Sequence, residues 1–234
     1  VITPFAEREI LMNRIALRLA AASLAKPAIN VATINVATII AVTIVAAAMI
    51  AIPTVASAHP GHEDTPGLVH GFLHPLGGLD HILAMVAVGL FAARLGGRAL
   101  WLVPASFVVT MAVAGVAGMT GFALPYVEAG IALSILVLGA AIALDWTMPV
   151  AAAMGLVAFF AVFHGHAHGA EMPQTMSGLA YGMGFVAATA ALHALGIGLG
   201  LVIGRSGEAA SRRILQIGGG AAALAGAALL AGTM

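Results

Sequence analysis

Apolar residues along this chain do not alternate with polar ones. They run in stretches of about twenty or more, the length a helix needs to cross a ~30 Å hydrocarbon core at ~1.5 Å per residue. Beyond His59, six such segments can be drawn, at residues 68–93, 99–122, 124–144, 149–169, 176–203 and 214–230. The pattern predicts an all-α fold, a polytopic membrane helix bundle with six transmembrane helices over residues 59–234. An earlier apolar run, residues 28–52, follows Arg14, Arg18 and Lys26 and ends in Pro53 and the small-x-small triplet Ala56-Ser57-Ala58. That order of basic, apolar and small residues predicts a signal peptide cleaved before His59. Residues 1–11 read as an upstream extension with Met12 as the initiator, so 1–58 are extension plus signal peptide. The alternative is an uncleaved helix, since the run is long enough to span.

Composition sharpens this picture. The chain is 62% hydrophobic and 8% charged, against roughly 25% charged in a soluble domain. Formal net charge is zero and no dense Lys/Arg tract occurs, so nucleic acid is not an expected partner; the lipid bilayer is. The five basic residues after His59 are Arg94 and Arg98, behind the first segment, and Arg205, Arg212 and Arg213, behind the fifth. Alternating crossings put all five on one side, which the positive-inside tendency makes cytoplasmic. The predicted signal peptide independently places the mature N-terminus outside. Many of the 29 glycines stand three or four residues apart, such as Gly115, Gly118 and Gly121, and Gly196 and Gly200 at small-xxx-small spacing, which predicts close helix packing. Gly77-Gly78 after Pro75 is predicted instead to loosen the first helix, a device tolerated at membrane depth where it lines a cavity. Oligomeric state is not readable, and a homo-oligomer stays open.

Polar residues inside apolar segments carry the chemistry, because an ionisable group at membrane depth costs a few kcal/mol or more unless it is paired, solvated or bound. Eight of nine histidines fall in two clusters. In His70-Gly-Phe-Leu-His74-Pro-Leu-Gly-Gly-Leu-Asp80-His81, a straight helix would stack His70, His74 and His81 on one stripe, with His81 past the midplane. Asp80, about a quarter turn away, is expected to join only if the helix is distorted, or to orient an imidazole from behind. In His164-Gly-His166-Ala-His168-Gly-Ala-Glu171, His164, His168 and Glu171 share one face while His166 points away. Imidazoles with a carboxylate suit a divalent transition metal, and with no cysteine in the chain a thiolate site is excluded. The two clusters are expected in the outer half of the bundle, either as one site or as successive sites. His59 and His62, in His-Pro-Gly-His-Glu-Asp, would form a weak metal-capturing tail or a merely solvated one. His193, alone in the fifth segment, is expected to hydrogen-bond between helices, and Glu128 and Asp145 to be interfacial charges.

His74-x5-Asp80-His81 followed by Phe163-His-Gly-His-Ala-His-Gly-Ala-Glu171 resembles the HupE/UreJ family of bacterial nickel permeases. The resemblance covers the whole mature chain. It implies import of Ni(II), or Co(II) in some relatives, for hydrogenase or urease maturation proteins, with His74, Asp80, His81, His164, His168 and Glu171 at the motif positions and His166 at a variable one. The metal is then cargo, with no prosthetic group and no enzymatic activity expected. No Gly-x-x-x-x-Gly-Lys-Ser/Thr loop occurs, so the chain is not expected to hydrolyse ATP by itself. Two other classes fit the same residues less well: an intramembrane Zn-dependent hydrolase with Asp80 or Glu171 as general base, and a metal sensor or accessory subunit, for which no soluble output domain is visible.

Overall fold

A computed structural model describes residues 67–172 and 177–233. All fall within the second of the chain's two units, Ala41–Met234. The predicted signal peptide, its cleavage site, His59 and His62 lie outside the described residues. Within them the backbone forms seven helices and no strand: α1 (Gly67–Gly77), α2 (Leu79–Leu95), α3 (Ala99–Met119), α4 (Val127–Ala143), α5 (Val150–Glu171), α6 (Gly178–Gly204) and α7 (Glu208–Gly232).

The all-α bundle is as expected, but the first predicted helix is two. α1 and α2 meet at an angle of 85°. Gly78 is the break: its backbone is extended, with φ −103° and ψ 120°, which interrupts the helical ladder behind Pro75 and Gly77. The single stripe of His70, His74 and His81 therefore does not exist, and the depth assigned to His81 from a straight helix falls with it. Among the described residues four helices, α3, α5, α6 and α7, are long and apolar enough to cross a membrane, and α1 with α2 pass the same test together, as either one bent span or a re-entrant loop. α4, with 17 residues, reaches only about 25 Å. These helices make the chain a multi-pass membrane protein.

Glycines at helix crossings hold the bundle together. A Cβ on Gly169 would lie 2.0 Å from the Gly115 carbonyl oxygen, and one on Gly165 would lie 2.1 Å from that of Met111, so α3 and α5 run parallel with their backbones in contact. Gly89 and Gly196 approach reciprocally where α2 meets α6, and Gly139 and Gly219 do so where α4 meets α7. Lipid tails give no hydrophobic reward for helix association, so such close van der Waals approach is the available cohesion. Between the pairs a core of Met85, Val88, Phe91, Phe107, Leu138 and Val157 is fully buried. Large apolar side chains on the outer faces, among them Trp101, Val109, Val113, Ile217 and Leu224, are exposed, as lipid contact requires.

One end of the bundle carries the arginines. Arg94, at the end of α2, pairs with Asp145 in the turn after α4, and Arg212 near the start of α7 stands 4.0 Å from the same carboxylate. Asp145, expected as an interfacial charge, thus ties three helix ends together. The histidine-rich segments occupy the opposite ends of their helices, the start of α2 and the last two turns of α5.

Candidate metal site

The bend at Gly78 separates His74 from His81 in secondary structure and yet brings both to α5. The His168 ring lies 4.8 Å from that of His74 and 4.3 Å from that of His81, centroid to centroid. His81 also meets His164 at 5.1 Å. The two sequence clusters therefore converge, with His168 as the member that touches both halves. α5 continues to Glu171, so the expected shared face of His164, His168 and Glu171 holds, and the Glu171 carboxylate reaches across to His74 Nε2 at 3.2 Å.

His74, His168 and Glu171 each offer a ligand atom within 4.8 Å of the others. Two ligands each ~2.1 Å from one ion stand at most ~4.2 Å apart, so small rotamer changes of roughly 0.6 Å would close this trio on a cation. The donor set of two imidazoles and a carboxylate is that of a borderline divalent metal.

Hydrogen bonds fix which nitrogen some of these rings present. His81 Nδ1 lies 3.1 Å from Asp80 Oδ1, so its N–H donates to the carboxylate and Nε2 keeps its lone pair. Asp80 is thus at the back of the imidazole, the second of the two places expected for it, even though the helix is broken at Gly78. Gly78 makes room for the pair, since a Cβ there would stand 2.6 Å from Asp80 Oδ1 and 3.1 Å from His81 Nδ1. His164 is pinned the other way round. The Ser134 hydroxyl donates to the Ile131 carbonyl at 2.6 Å and accepts from His164 Nε2 at 3.0 Å, which leaves Nδ1 as the free acceptor. Both nitrogens of His168 are buried without a hydrogen-bond partner among the described residues, as are His81 Nε2 and His164 Nδ1. Each such atom costs ~1–3 kcal/mol if nothing binds it, and unpartnered imidazole nitrogens on neighbouring rings in an apolar interior fit a cation.

Exposure falls from the mouth of the group to its interior. The side chains of Glu171 and His74 are 54% and 30% accessible, that of His81 is 11%, and the residues His168 and His164 are 3% and 0%. His70 extends the mouth, its ring 6.2 Å from His74 and 6.0 Å from Tyr181. His166 does not join: its ring faces away, as the periodicity expected, and Nε2 donates to the Phe122 carbonyl at 2.5 Å. The expected interhelical hydrogen bond of His193 is also not formed. Both its ring nitrogens are buried without a partner among the described residues, and the ring packs edge-on to Phe107. Sequence reading missed Ser134, Tyr181 and Phe185, which contact His164, His74 and His168 respectively. Only Ser134 had a signal, a hydroxyl in an otherwise apolar run.

Comparison with known proteins agrees with these motifs. A family profile described as HupE / UreJ protein matches residues 46–229. Over 183 residues the chain is 50% identical to a protein named "Protein HupE" from Rhizobium leguminosarum bv. viciae, an alignment covering 77% of this chain and 93% of that one. No solved structure matches it. With its profile, its relative and both histidine motifs in agreement, the chain belongs to the HupE/UreJ protein family.

Proposed function

We propose that this protein is a permease of the bacterial cytoplasmic membrane that imports Ni(II), or Co(II), and supplies hydrogenase or urease maturation proteins. The observation that carries the reading is the graded burial of converging imidazoles, from the half-open His74 and Glu171 to the fully enclosed His164. A hydrated ion would exchange water for imidazole and carboxylate in steps, which avoids one large dehydration barrier. A conducting site must bind strongly enough to dehydrate its ion and weakly enough to release it. Neutral nitrogen donors with one carboxylate suit that compromise. The arginine-bearing end, opposite the histidines, is cytoplasmic in this reading, and the mature N-terminus is periplasmic. Six crossings follow if α4 spans together with its flanking residues. Entry is driven by the membrane potential, cytoplasmic sequestration of the metal, or proton coupling.

The test is radiolabelled Ni(II) uptake by cells producing the protein. His74→Ala, His81→Ala and His168→Ala are each expected to abolish uptake while the protein remains in the membrane at normal abundance. Unchanged uptake in all three would refute the proposal.

A further inference from the structure

Among the described residues His193 is the one buried histidine that neither family motif contains, and none of them gives it a hydrogen-bond partner. It is 1% exposed, and neither ring nitrogen has a hydrogen-bond partner among the described residues. If the ring only filled space, an apolar side chain would do so without the ~1–3 kcal/mol that an unsatisfied buried polar atom costs. Its place along the bundle is specific. α6 starts at the mouth, where Tyr181 meets His74 and Phe185 meets His168, and runs toward the arginine end. Eight residues separate Phe185 from His193, so at ~1.5 Å per residue His193 sits roughly 12 Å further in. The next imidazole outward is His164, and the Phe107 ring contacts both: centroids are 5.5 Å from His164 and 5.1 Å from His193. Ser134 turns the free lone pair of His164 to Nδ1.

We infer that His193 is an inner metal ligand, a station that accepts the divalent cation from His164 on its way to the cytoplasmic end. The transfer is a ligand exchange: the metal–Nδ1 bond to His164 breaks as a bond to a His193 ring nitrogen forms, with no change of oxidation state. The inference rests on the metal-path reading above and adds an interior step to it. The Thr189 hydroxyl, one turn before His193, donates to Met111 Sδ at 3.6 Å, so an oxygen and a thioether lie on the same α3–α6 contact as possible auxiliary donors.

The absence of cysteine from the chain makes a direct test available. In His193→Cys the new thiol is the only one present, and Co(II) bound by it gives a thiolate-to-metal charge-transfer band in the near ultraviolet. The full-length protein is purified in lipid nanodiscs and titrated with Co(II), with His168→Cys as the mouth-site comparison. Bands in both variants are expected. His193→Phe, which fills the site with an apolar ring, is expected to lower Ni(II) uptake at least ten-fold while Co(II) binding at the mouth stays within two-fold of wild type. A band in His168→Cys but none in His193→Cys, or uptake by His193→Phe within two-fold of wild type, overturns the inner station and leaves the mouth site standing. No band in either variant, with uptake untouched by His168→Ala, overturns the metal-path reading and this inference together.

Discussion

Gly78→Ala separates the site's geometry from the protein's stability. The backbone at Gly78 has φ −103°, which any residue adopts, so alanine introduces no strain there. In general, replacing glycine by alanine at a compatible backbone stabilises by ~0.4–1 kcal/mol through the unfolded chain. The added methyl, however, would lie 2.6 Å from Asp80 Oδ1 and 3.1 Å from His81 Nδ1. The carboxylate is the movable partner, so it swings away and the 3.1 Å Asp80–His81 hydrogen bond is lost. Losing the group that orients a metal-binding imidazole typically lowers affinity ~10–100-fold, or about 1.4–2.8 kcal/mol. The expected result is unchanged or slightly raised thermal stability with metal affinity down by that factor, read from Co(II) titration and a melting curve on the same preparation. Gly77→Ala is the matched control, because a Cβ at Gly77 meets nothing within 4 Å. Wild-type affinity in Gly78→Ala, or an equal loss in Gly77→Ala, would refute the role given to the Asp80–His81 pair.

Ser134→Ala removes the acceptor of His164 Nε2–H and lets the ring exchange tautomers, so Ni(II) uptake is expected to fall ~10-fold or more with no change in membrane abundance; uptake at the wild-type rate would count against His164 Nδ1 as a ligand. Gly165→Ala sets a methyl 2.1 Å from the Met111 carbonyl and is expected to destabilise by ~1–3 kcal/mol as α3 and α5 separate, whereas Gly155→Ala, mid-helix with nothing within 4 Å, is expected to stabilise by up to ~1 kcal/mol in the same melting assay. Asp145→Asn weakens the pairing with Arg94 and Arg212 at a partly exposed position, so a loss of no more than ~1 kcal/mol and unaltered Co(II) affinity are expected from melting and titration.

Much of this architecture was legible because hydrocarbon imposes a simple code. The segments expected at 99–122, 124–144, 149–169 and 176–203 reappear as α3, α4, α5 and α6 with ends shifted by three residues or fewer. α7 begins at Glu208, six residues before the apolar run expected at 214, because a helix continues past the hydrocarbon boundary where hydropathy no longer registers it. The break in the first segment was signalled by Pro75 and Gly77-Gly78, but its angle was not. Packing elsewhere also fixes where α1 lies: a Cβ on Gly71 would stand 2.0 Å from the Tyr181 carbonyl, and one on Gly184 would stand 1.9 Å from that of Leu68, so α1 is held across the start of α6. Helical periodicity grouped His164, His168 and Glu171 correctly because α5 is continuous. It misgrouped His74 with His81 because a period says nothing across a bend. The partners of His164 and His168, namely Ser134 and Phe185, come from α4 and α6, and no local pattern encodes a contact between helices so far apart in sequence.

The uneven anchoring of the imidazoles bears on what kind of metal site this is. A site that retains its ion holds each ligating histidine by a hydrogen bond to its other nitrogen, which fixes ring and tautomer together. Here Asp80 fixes His81 and Ser134 fixes His164, while His168, the ring between the mouth and the interior, has neither nitrogen engaged among the described residues. It touches His74 on one side and His81 on the other, edge-on to the first and strongly inclined to the second. An unanchored imidazole between anchored neighbours can present either nitrogen to either side without breaking a hydrogen bond, so ligand exchange through it has a low barrier. A hydrolytic metal centre needs the opposite, a rigid ligand set with one open position for water. The hydroxyl bonded to His164 is unsuited to that chemistry, because Ser134 commits its hydrogen to the Ile131 carbonyl. On the proposed transport reading, passage of an ion accounts for the freedom of His168 in a way that a retained, hydrolytic metal does not.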